Sequence, residues 1–158
     1  MITNKKETES KNIVENRQAR FLFAIEDTFD AGMVLEGWEV KSILAGQATF
    51  NGGGSYIKMS NGEAWIETLT ITPLSSTNKG LLLERNPCRA RKLLLKKADL
   101  NKLAKKVAER GCTIVPLMIT YNGRLKIQIA LAKGRNNADK RHTMKDRDLK
   151  REMDREFK

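Results

Sequence analysis

Five carboxylates lie close together in the N-terminal third of the chain and could, in principle, do chemistry. They are Glu26, Asp27, Asp30, Glu36 and Glu39. Carboxylate oxygens are preferred ligands of Mg²⁺, and a Mg²⁺ ion held by such a group could hydrolyse RNA. The spacing fixes no mutual geometry, and carboxylates on strands and turns are usually solvated. A magnesium-dependent RNA nuclease is therefore kept as an alternative, and the main prediction is a non-enzymatic chain without catalytic residues.

A second group of residues consists of arginines and lysines, and its positive charge indicates contact with phosphates. It comprises Arg85, Arg89, Arg91, Lys92, Lys96 and Lys97, around Pro87. In an extended segment Arg89 and Arg91 share one face, and a guanidinium can hold a phosphate through two hydrogen bonds. The alternative is that both arginines form ion pairs with nearby acids.

Metal and cofactor sites are not indicated by the remaining residue types. Cys88 and Cys112 lack the pairing pattern of a disulfide scaffold, and with the single His142 they cannot supply the four ligands of a zinc site. The glycine run at 52–54 lacks the Lys-Ser/Thr ending of a phosphate-binding loop. We therefore predict no metal and no cofactor.

The charge of the whole chain predicts an anionic partner. Lys and Arg number 30 against 19 Asp and Glu, a formal net charge of +11. Aromatic residues make up only 6%, which favours a folded RNA over single strands that are bound by stacking. No segment approaches the roughly 20 apolar residues of a membrane span, and the N-terminus has no apolar signal core. We expect a cytoplasmic protein that binds RNA and no membrane.

The elements that must position these residues divide the chain into three parts. Residues 1–15 are predicted to be a disordered leader, 16–132 a folded RNA-binding domain, and 133–158 a flexible basic tail. A helix is predicted from Lys97 to Arg110 by its apolar spacing and by Gly111 at its end.

Most of the remaining body is predicted to be short antiparallel strands. A hairpin joins strands at 113–121 and 124–132 through the turn Asn122-Gly123, and its Lys126 faces outward, away from the core. Earlier strands are predicted at 20–26, 33–38, 55–59 and 64–71, with loops at 51–54 and 61–62 and a short helix at 40–45. The predicted fold class is mainly β, an antiparallel barrel with flanking helices.

The tail has a composition that cannot fold alone. Residues 133–158 contain ten cations and six anions, too little apolar surface to offset the entropy of ordering. Leu149, Met153 and Phe157 nevertheless fall at four-residue intervals. We expect disorder in solution and a helix on contact with an anionic channel, a plain solubilising tail being the alternative.

Ordered motifs along the chain resemble those of a known family. They are Asn16-Arg17-Gln18-Ala19-Arg20, Asp30-Ala31-Gly32, Gly37-Trp38-Glu39-Val40-Lys41-Ser42 with Gly46, Ser55-Tyr56, Gly62-Glu63, Ile71-Thr72-Pro73, Pro87 to Leu95 with Arg89, Arg91 and Lys92, Ala132-Lys133-Gly134, and Asp139-Lys140-Arg141 with Lys145 and Arg147. At this spacing they are similar to the SsrA-binding protein family, also called small protein B. The resemblance runs from Asn16 to about Arg151.

The resemblance implies a fold, a function and partners. It implies an oligonucleotide-binding (OB) fold-like barrel that grips the tRNA-like domain of transfer-messenger RNA and delivers this RNA to stalled ribosomes for trans-translation. The tail would enter the vacant messenger channel next to the decoding region of the small subunit. Elongation factor Tu and alanyl-tRNA synthetase would associate through the RNA, and the protein itself would be a monomer.

The resemblance and the basic pattern together predict two sets of site residues. The RNA-binding set is Asn16, Arg17, Arg20, Asp30, Glu39, Lys41, Arg89, Arg91, Lys92, Leu94, Lys96 and Lys126. The set in the ribosome-contacting tail is Lys133, Gly134, Asp139, Lys140, Arg141, Lys145 and Arg147.

Several positions depart from the usual pattern of this family. Asp30 stands where Glu is common, Leu44 where Arg is common, Lys96 where His or Asn is common, and Ala138 where His is common. The Ala138 change removes a side chain that could stack just before Asp139. A generic basic ribosomal or RNA-binding protein is the alternative among binding functions.

Overall fold

An antiparallel sheet of seven strands forms the body of the computed structural model, which describes residues 10–51, 55–67, 69–75 and 86–157. The strands of the described residues are β1 (Lys11–Glu15), β2 (Phe23–Met33), β3 (Ala48–Phe50), β4 (Tyr56–Ser60), β5 (Glu63–Glu67), β6 (Leu69–Ile71), β7 (Arg91–Leu94), β8 (Cys112–Tyr121) and β9 (Leu125–Gly134). Their order in the large sheet is β1-β8-β9-β2-β7-β5-β4, and β3 pairs with β6 in a separate two-stranded sheet.

The large sheet curls without closing. Its edge strand β4 packs close to β8, although four strands lie between them in the hydrogen-bonded order. The fold class predicted from the sequence, mainly β with flanking helices, is confirmed. The closed barrel is wrong, because β1 and β4 remain at opposite edges and no ladder joins them among the described residues.

Four helices flank the sheet in the described part of the chain. They are α1 (Arg17–Leu22), α2 (Gly37–Leu44), α3 (Lys97–Val107) and α4 (Asn137–Glu156). None of them combines the length and apolar character that a bilayer span requires.

The core lies on the inner side of the curled sheet. Ile127, Ile129 and Leu131 alternate along β9 and are fully buried, with Leu103 of α3 packed into the same cluster. Full burial of each such side chain stabilises the fold by roughly 1.5–3 kcal/mol. The opposite parity of β9 therefore leaves Lys126 and Gln128 on the outward face.

A smaller apolar cluster fixes α1 on that outward face. Ala19 is buried against Val115, Leu117, Ala130 and Ala132. Only the part of the outward face beyond this cluster is free to meet a partner. The position of α1 thus limits where an interface can lie.

The hairpin and the late helix are the elements that the sequence predicts best. Helix α3 begins at the predicted Lys97 but ends at Val107, and Gly111 then adopts φ +83°. In the β8–β9 hairpin three residues, rather than two, separate the strands, with Gly123 at φ +69°. The turn at Asn61-Gly62 is confirmed, with both residues at positive φ.

Two predicted strands are wrong in part, since only residues 23–26 of the first and Met33 of the second lie in β2. Residues 20–22 belong to α1, because the Asn16 side chain accepts a hydrogen bond from Ala19 N–H at 3.3 Å and so caps a helix. Residues 34–38 do not continue β2. Helix α2 already begins at Gly37, where Glu36 N–H donates to the Glu39 carboxylate at 2.8 Å, so the predicted short helix exists but begins earlier.

The predicted limits of the leader and tail also need correction. Residues 11–15 form β1 and pair with β8, whereas residues 1–9 lie outside the described residues, as do 52–54 of the predicted loop and Arg85. Lys133 and Gly134 belong to β9, where they pair with Ala24 and Phe23. Residues 137–156 form α4, and the predicted dependence of that helix on the ribosome stays a prediction.

Candidate nucleic-acid interface

Three residues on neighbouring strands form the centre of the exposed outward face. Gly32 of β2 is the register partner of Leu94 on β7 and of Lys126 on β9. Leu94 is 53% exposed, which is unusual for a leucine in the middle of a sheet. Asp30 lies two residues before Gly32, on the same face, and is also exposed. With Lys96, these residues are called the Leu94 patch below.

Gly32 allows Leu94 to lie flat on the sheet. A Cβ added at Gly32 would be 3.3 Å from the Leu94 Cβ and 3.6 Å from its Cδ1. A side chain at this position would require Leu94 to shift by a few tenths of an ångström. Gly32 is missing from the predicted site set, although its two-residue spacing from Asp30 was a signal that both share one face.

The cations of the Leu94 patch are available to a ligand. Lys96 and Lys126 are exposed, and within the described residues neither forms an ion pair. Lys92 has the same parity as Leu94 but is engaged, because its Nζ lies 2.6 Å from the Glu63 carboxylate. The patch therefore presents two free ammonium groups beside an apolar side chain.

Arg91, predicted to contact RNA, is instead fully buried. Its Nε donates to Glu39 Oε1 at 2.8 Å, and its two terminal nitrogens donate to the carbonyls of Leu69 at 2.7 Å and Pro87 at 2.9 Å. Glu39 is equally buried. Direct phosphate contact by the side chains of Arg91 and Glu39 is wrong for this structure, because neither reaches the surface.

Arg89 completes the same network from its surface side. Its Nη2 lies 2.6 Å from Glu39 Oε2, and its side chain is 28% exposed. Burial opposes ionisation of Glu39, but hydrogen bonds from Arg89, from the backbone of Glu36 and from Arg91 outweigh it and hold the pKa of this carboxyl below its ordinary value. The ion-pair alternative for both arginines is the one that the structure shows.

The N-terminal members of the predicted site lie around α1 and α2. Asn16 is buried, and its amide nitrogen donates to the Pro116 carbonyl at 3.0 Å, so it positions α1 and does not face solvent. Arg17, Arg20 and Lys41 are exposed. These three cations extend the positive surface away from the Leu94 patch.

The tail helix α4 leaves the sheet next to α1 and packs against it. The Arg147 guanidinium lies 5.2 Å from the centre of the Phe21 ring, and Arg135 Nη1 donates to the Thr143 hydroxyl at 3.0 Å. At its base, the Glu26 carboxylate lies 3.2 Å from Lys133 Nζ and raises the pKa of that lysine.

The remaining tail residues lie near the start of α4. Gly134 ends β9, and Asp139 and Lys140 lie in the first turns of the helix. Arg141 and Lys145 are exposed. The tail set thus begins at the end of β9, whereas Lys126 of the Leu94 patch lies near the start of that strand.

The early carboxylates are dispersed by their partners. Asp27 pairs with Lys102 at 2.9 Å, Glu26 pairs with Lys133, and Glu39 is held by two arginines. No group of three or more His, Cys, Asp or Glu suited to a metal occurs among the described residues. Within the described residues these five acids therefore do not supply a group of three that could hold a metal ion.

Comparisons with known proteins agree on one family. A family model described as SmpB protein matches residues 13–158. The SsrA-binding protein of Thermosynechococcus vestitus is 45% identical over 149 residues, which cover 94% of this chain and 95% of the relative. That of Afipia carboxidovorans is 44% identical over 156 residues, covering 98% and 96%.

A solved structure is similar in fold as well as in sequence. It is described as "tmRNA-SmpB: a journey to the center of the bacterial ribosome", and its matching chain is 36% identical with a TM-score of 0.64. The match covers 85% of this chain and 95% of that chain.

Proposed function

Because the chain belongs to the SmpB protein family, we propose that it binds transfer-messenger RNA and delivers it to stalled ribosomes for trans-translation. The observation that carries this proposal is the likeness, over 85% of the chain, to the protein in a structure described as tmRNA-SmpB and the bacterial ribosome. The exposed Leu94 patch and the net charge of +11 support the same function from this chain's own residues.

The Leu94 patch binds the tRNA-like domain in this proposal. The Leu94 side chain packs against a base or ribose, and Lys96 and Lys126 neutralise phosphates. Asp30 accepts a hydrogen bond from a base or ribose hydroxyl at the edge of the patch. Arg17, Arg20, Lys41, Lys92 and the exposed part of Arg89 add a peripheral positive field, while the buried Asn16, Glu39 and Arg91 act by holding the scaffold.

The tail supplies the contact with the ribosome. Lys133 and Gly134 lead out of the sheet, and α4 then carries cations that fit the RNA walls of the vacant messenger channel and decoding region. The residues of this contact are Lys133, Gly134, Asp139, Lys140, Arg141, Lys145 and Arg147. In this proposal α4 separates from α1 to reach that channel, and the contact of Arg147 with Phe21 is broken in that step.

The protein works by docking and catalyses no reaction in this proposal. It acts as a cytoplasmic monomer without a cofactor or a membrane partner. Elongation factor Tu and alanyl-tRNA synthetase associate with it through the shared RNA.

Recovery of bound RNA from cells tests the proposed function. The tagged chain is purified from bacterial lysate and the bound RNA is sequenced, beside a Leu94→Ala variant and a Leu149→Ala control. Leu149, like Leu94, is more than half exposed, but it lies on the tail helix. We expect transfer-messenger RNA to be strongly enriched by the wild type and the control, and much less by Leu94→Ala. Equal recovery of all structured RNAs would instead identify a generic RNA-binding protein.

A further inference from the structure

A groove opens at the end of the curled sheet where β1, the C-terminal end of α2 and the β8–β9 hairpin meet. Two adjoining cavities of about 480 and 350 Å³ form it and share Leu44 and Tyr121 in their walls. Met33, Val40 and Leu125 add apolar surface to the smaller cavity. Each volume lies within the range typical of small-ligand sites, about 300–1,000 Å³.

The apolar surface of this groove is open to solvent. Leu44 is 45% exposed and Tyr121 is 37% exposed. An aromatic ring beside an exposed leucine offers a flat apolar contact of the kind on which bases stack.

The positive charge of the groove favours an anionic ligand. Lys11 lines the larger cavity and Arg124 the smaller one, and none of the described residues that line either cavity is acidic. Neither cation forms an ion pair within the described part of the chain. Lys11 is also the direct register partner of Tyr121 across β1 and β8. The groove thus joins a ring, an apolar wall and two unneutralised cations.

The other exposed aromatic surface of the sheet has the opposite character. Tyr56 on β4 donates its hydroxyl hydrogen bond to Glu67 at 2.9 Å, and the neighbouring Lys58 lies 3.9 Å from the same carboxylate. The positive charge of Lys58 is partly neutralised by Glu67, so an anionic ligand would gain less binding free energy beside Tyr56. The groove at Tyr121 is the better site for such a ligand.

We propose that the groove binds one unstacked nucleotide of an RNA, with the base against Tyr121 and Leu44 and a phosphate on the cationic rim formed by Lys11 and Arg124. Met33 and Leu125 have the opposite parity to Gly32 on β2 and Lys126 on β9, so the groove opens on the inner side of the sheet, opposite the face of the Leu94 patch. The inference deepens the proposed function and rests on it, because it gives the bound RNA a second point of attachment.

Titration of the isotope-labelled full chain with AMP, followed by NMR, tests this site. We expect saturable shifts of the amide resonances of Leu44, Tyr121 and Gly123. Adenosine and ribose 5-phosphate should each bind about tenfold more weakly, because one lacks the phosphate contact and the other the stacking contact. The affinity of an acidic peptide that contains leucine is measured in the same way, as the alternative kind of ligand.

Variants assign the binding to the groove. Tyr121→Leu and Leu44→Glu should each weaken AMP binding about tenfold or more by removing the ring or adding a repulsive charge. Tyr56→Leu is the matched control and should leave the affinity unchanged. Absence of AMP shifts in the groove, equal loss in the control, or tighter binding of the acidic peptide would overturn the inference.

A parallel measurement separates this inference from the proposed function. If the wild-type chain binds transfer-messenger RNA but its groove does not bind AMP, the nucleotide site alone is refuted. If the chain fails to bind transfer-messenger RNA, the proposed function is refuted, whatever AMP does.

Discussion

Arg91 Nε lies 2.8 Å from Glu39 Oε1, and both side chains are completely buried. This pair joins β7 to α2, and Arg89 binds the other oxygen of the same carboxylate at 2.6 Å. Three residues after Arg91 the strand carries Leu94, the centre of the proposed RNA interface. The strand that carries that patch is therefore anchored by a buried ion pair that does not reach the surface.

Glu39→Gln should strongly destabilise the fold while keeping the shape of the side chain. The substitution leaves the buried Arg91 charge without a counter-charge, which typically costs about 3–5 kcal/mol. Urea unfolding followed by circular dichroism measures the loss. Glu63→Gln is the control, because it breaks a partly exposed pair with Lys92 and should cost about 0–1 kcal/mol. Equal effects of the two substitutions would contradict a structural role for Glu39.

Acid should destabilise the protein partly through this carboxylate. The pKa of Glu39 is lower in the folded state than its ordinary value of 4.5, so its contribution is fully present above that value and is lost as the pH falls through the lower, folded-state pKa. Stability measured from neutral pH downward should drop in this acidic window. The Glu39→Gln variant should show a smaller drop, and an identical acid profile would remove Glu39 as a source of the effect.

The sequence alone could predict the elements whose pattern is local. The period of the strand at 124–132 placed Lys126 on the outward face, and the spacing of apolar residues identified α3. These predictions succeed because the period of a strand or helix is written in neighbouring residues.

Features that depend on distant residues could not be predicted in this way. Arg91 is buried against Glu39, which lies 52 residues earlier in the chain. Sequence spacing gives no sign of that pairing. The contact of Gly32 with Leu94 likewise requires the pairing of β2 with β7. Residues 20–22 belong to helix α1 and not to the predicted strand, because the Asn16 cap and the burial of Ala19 stabilise a helix there.

Lys126→Gln should weaken binding to transfer-messenger RNA and reduce its salt dependence. Loss of one phosphate contact lowers the slope of log affinity against log salt by about 0.7–0.9. Fluorescence anisotropy at several KCl concentrations measures both quantities. Lys106→Gln is the control, since this lysine of α3 is paired with Glu109, just beyond the end of the helix, 3.1 Å away. An unchanged slope for Lys126→Gln would place this residue outside the interface.

Truncation after Asn136 should separate RNA binding from ribosome rescue. This cut removes α4 but keeps all of β9, including the pairs of Lys133 and Gly134 with β2. We expect RNA affinity to stay within about threefold of the full chain, since the residues of the Leu94 patch lie outside the removed helix. Tagging of stalled chains in a reconstituted translation system should be abolished. Parallel loss of both activities would show that the tail belongs to the primary RNA site.

The most direct test of the whole account is the preference of the purified full chain for transfer-messenger RNA. Its affinity is compared, at about 0.15 M ionic strength, with that for the same RNA lacking the tRNA-like domain and for an unstructured RNA of equal length. The account predicts a preference of about a hundredfold or more for the intact RNA, because shape-specific contacts add to the charge attraction. Equal affinity for all three RNAs would contradict it.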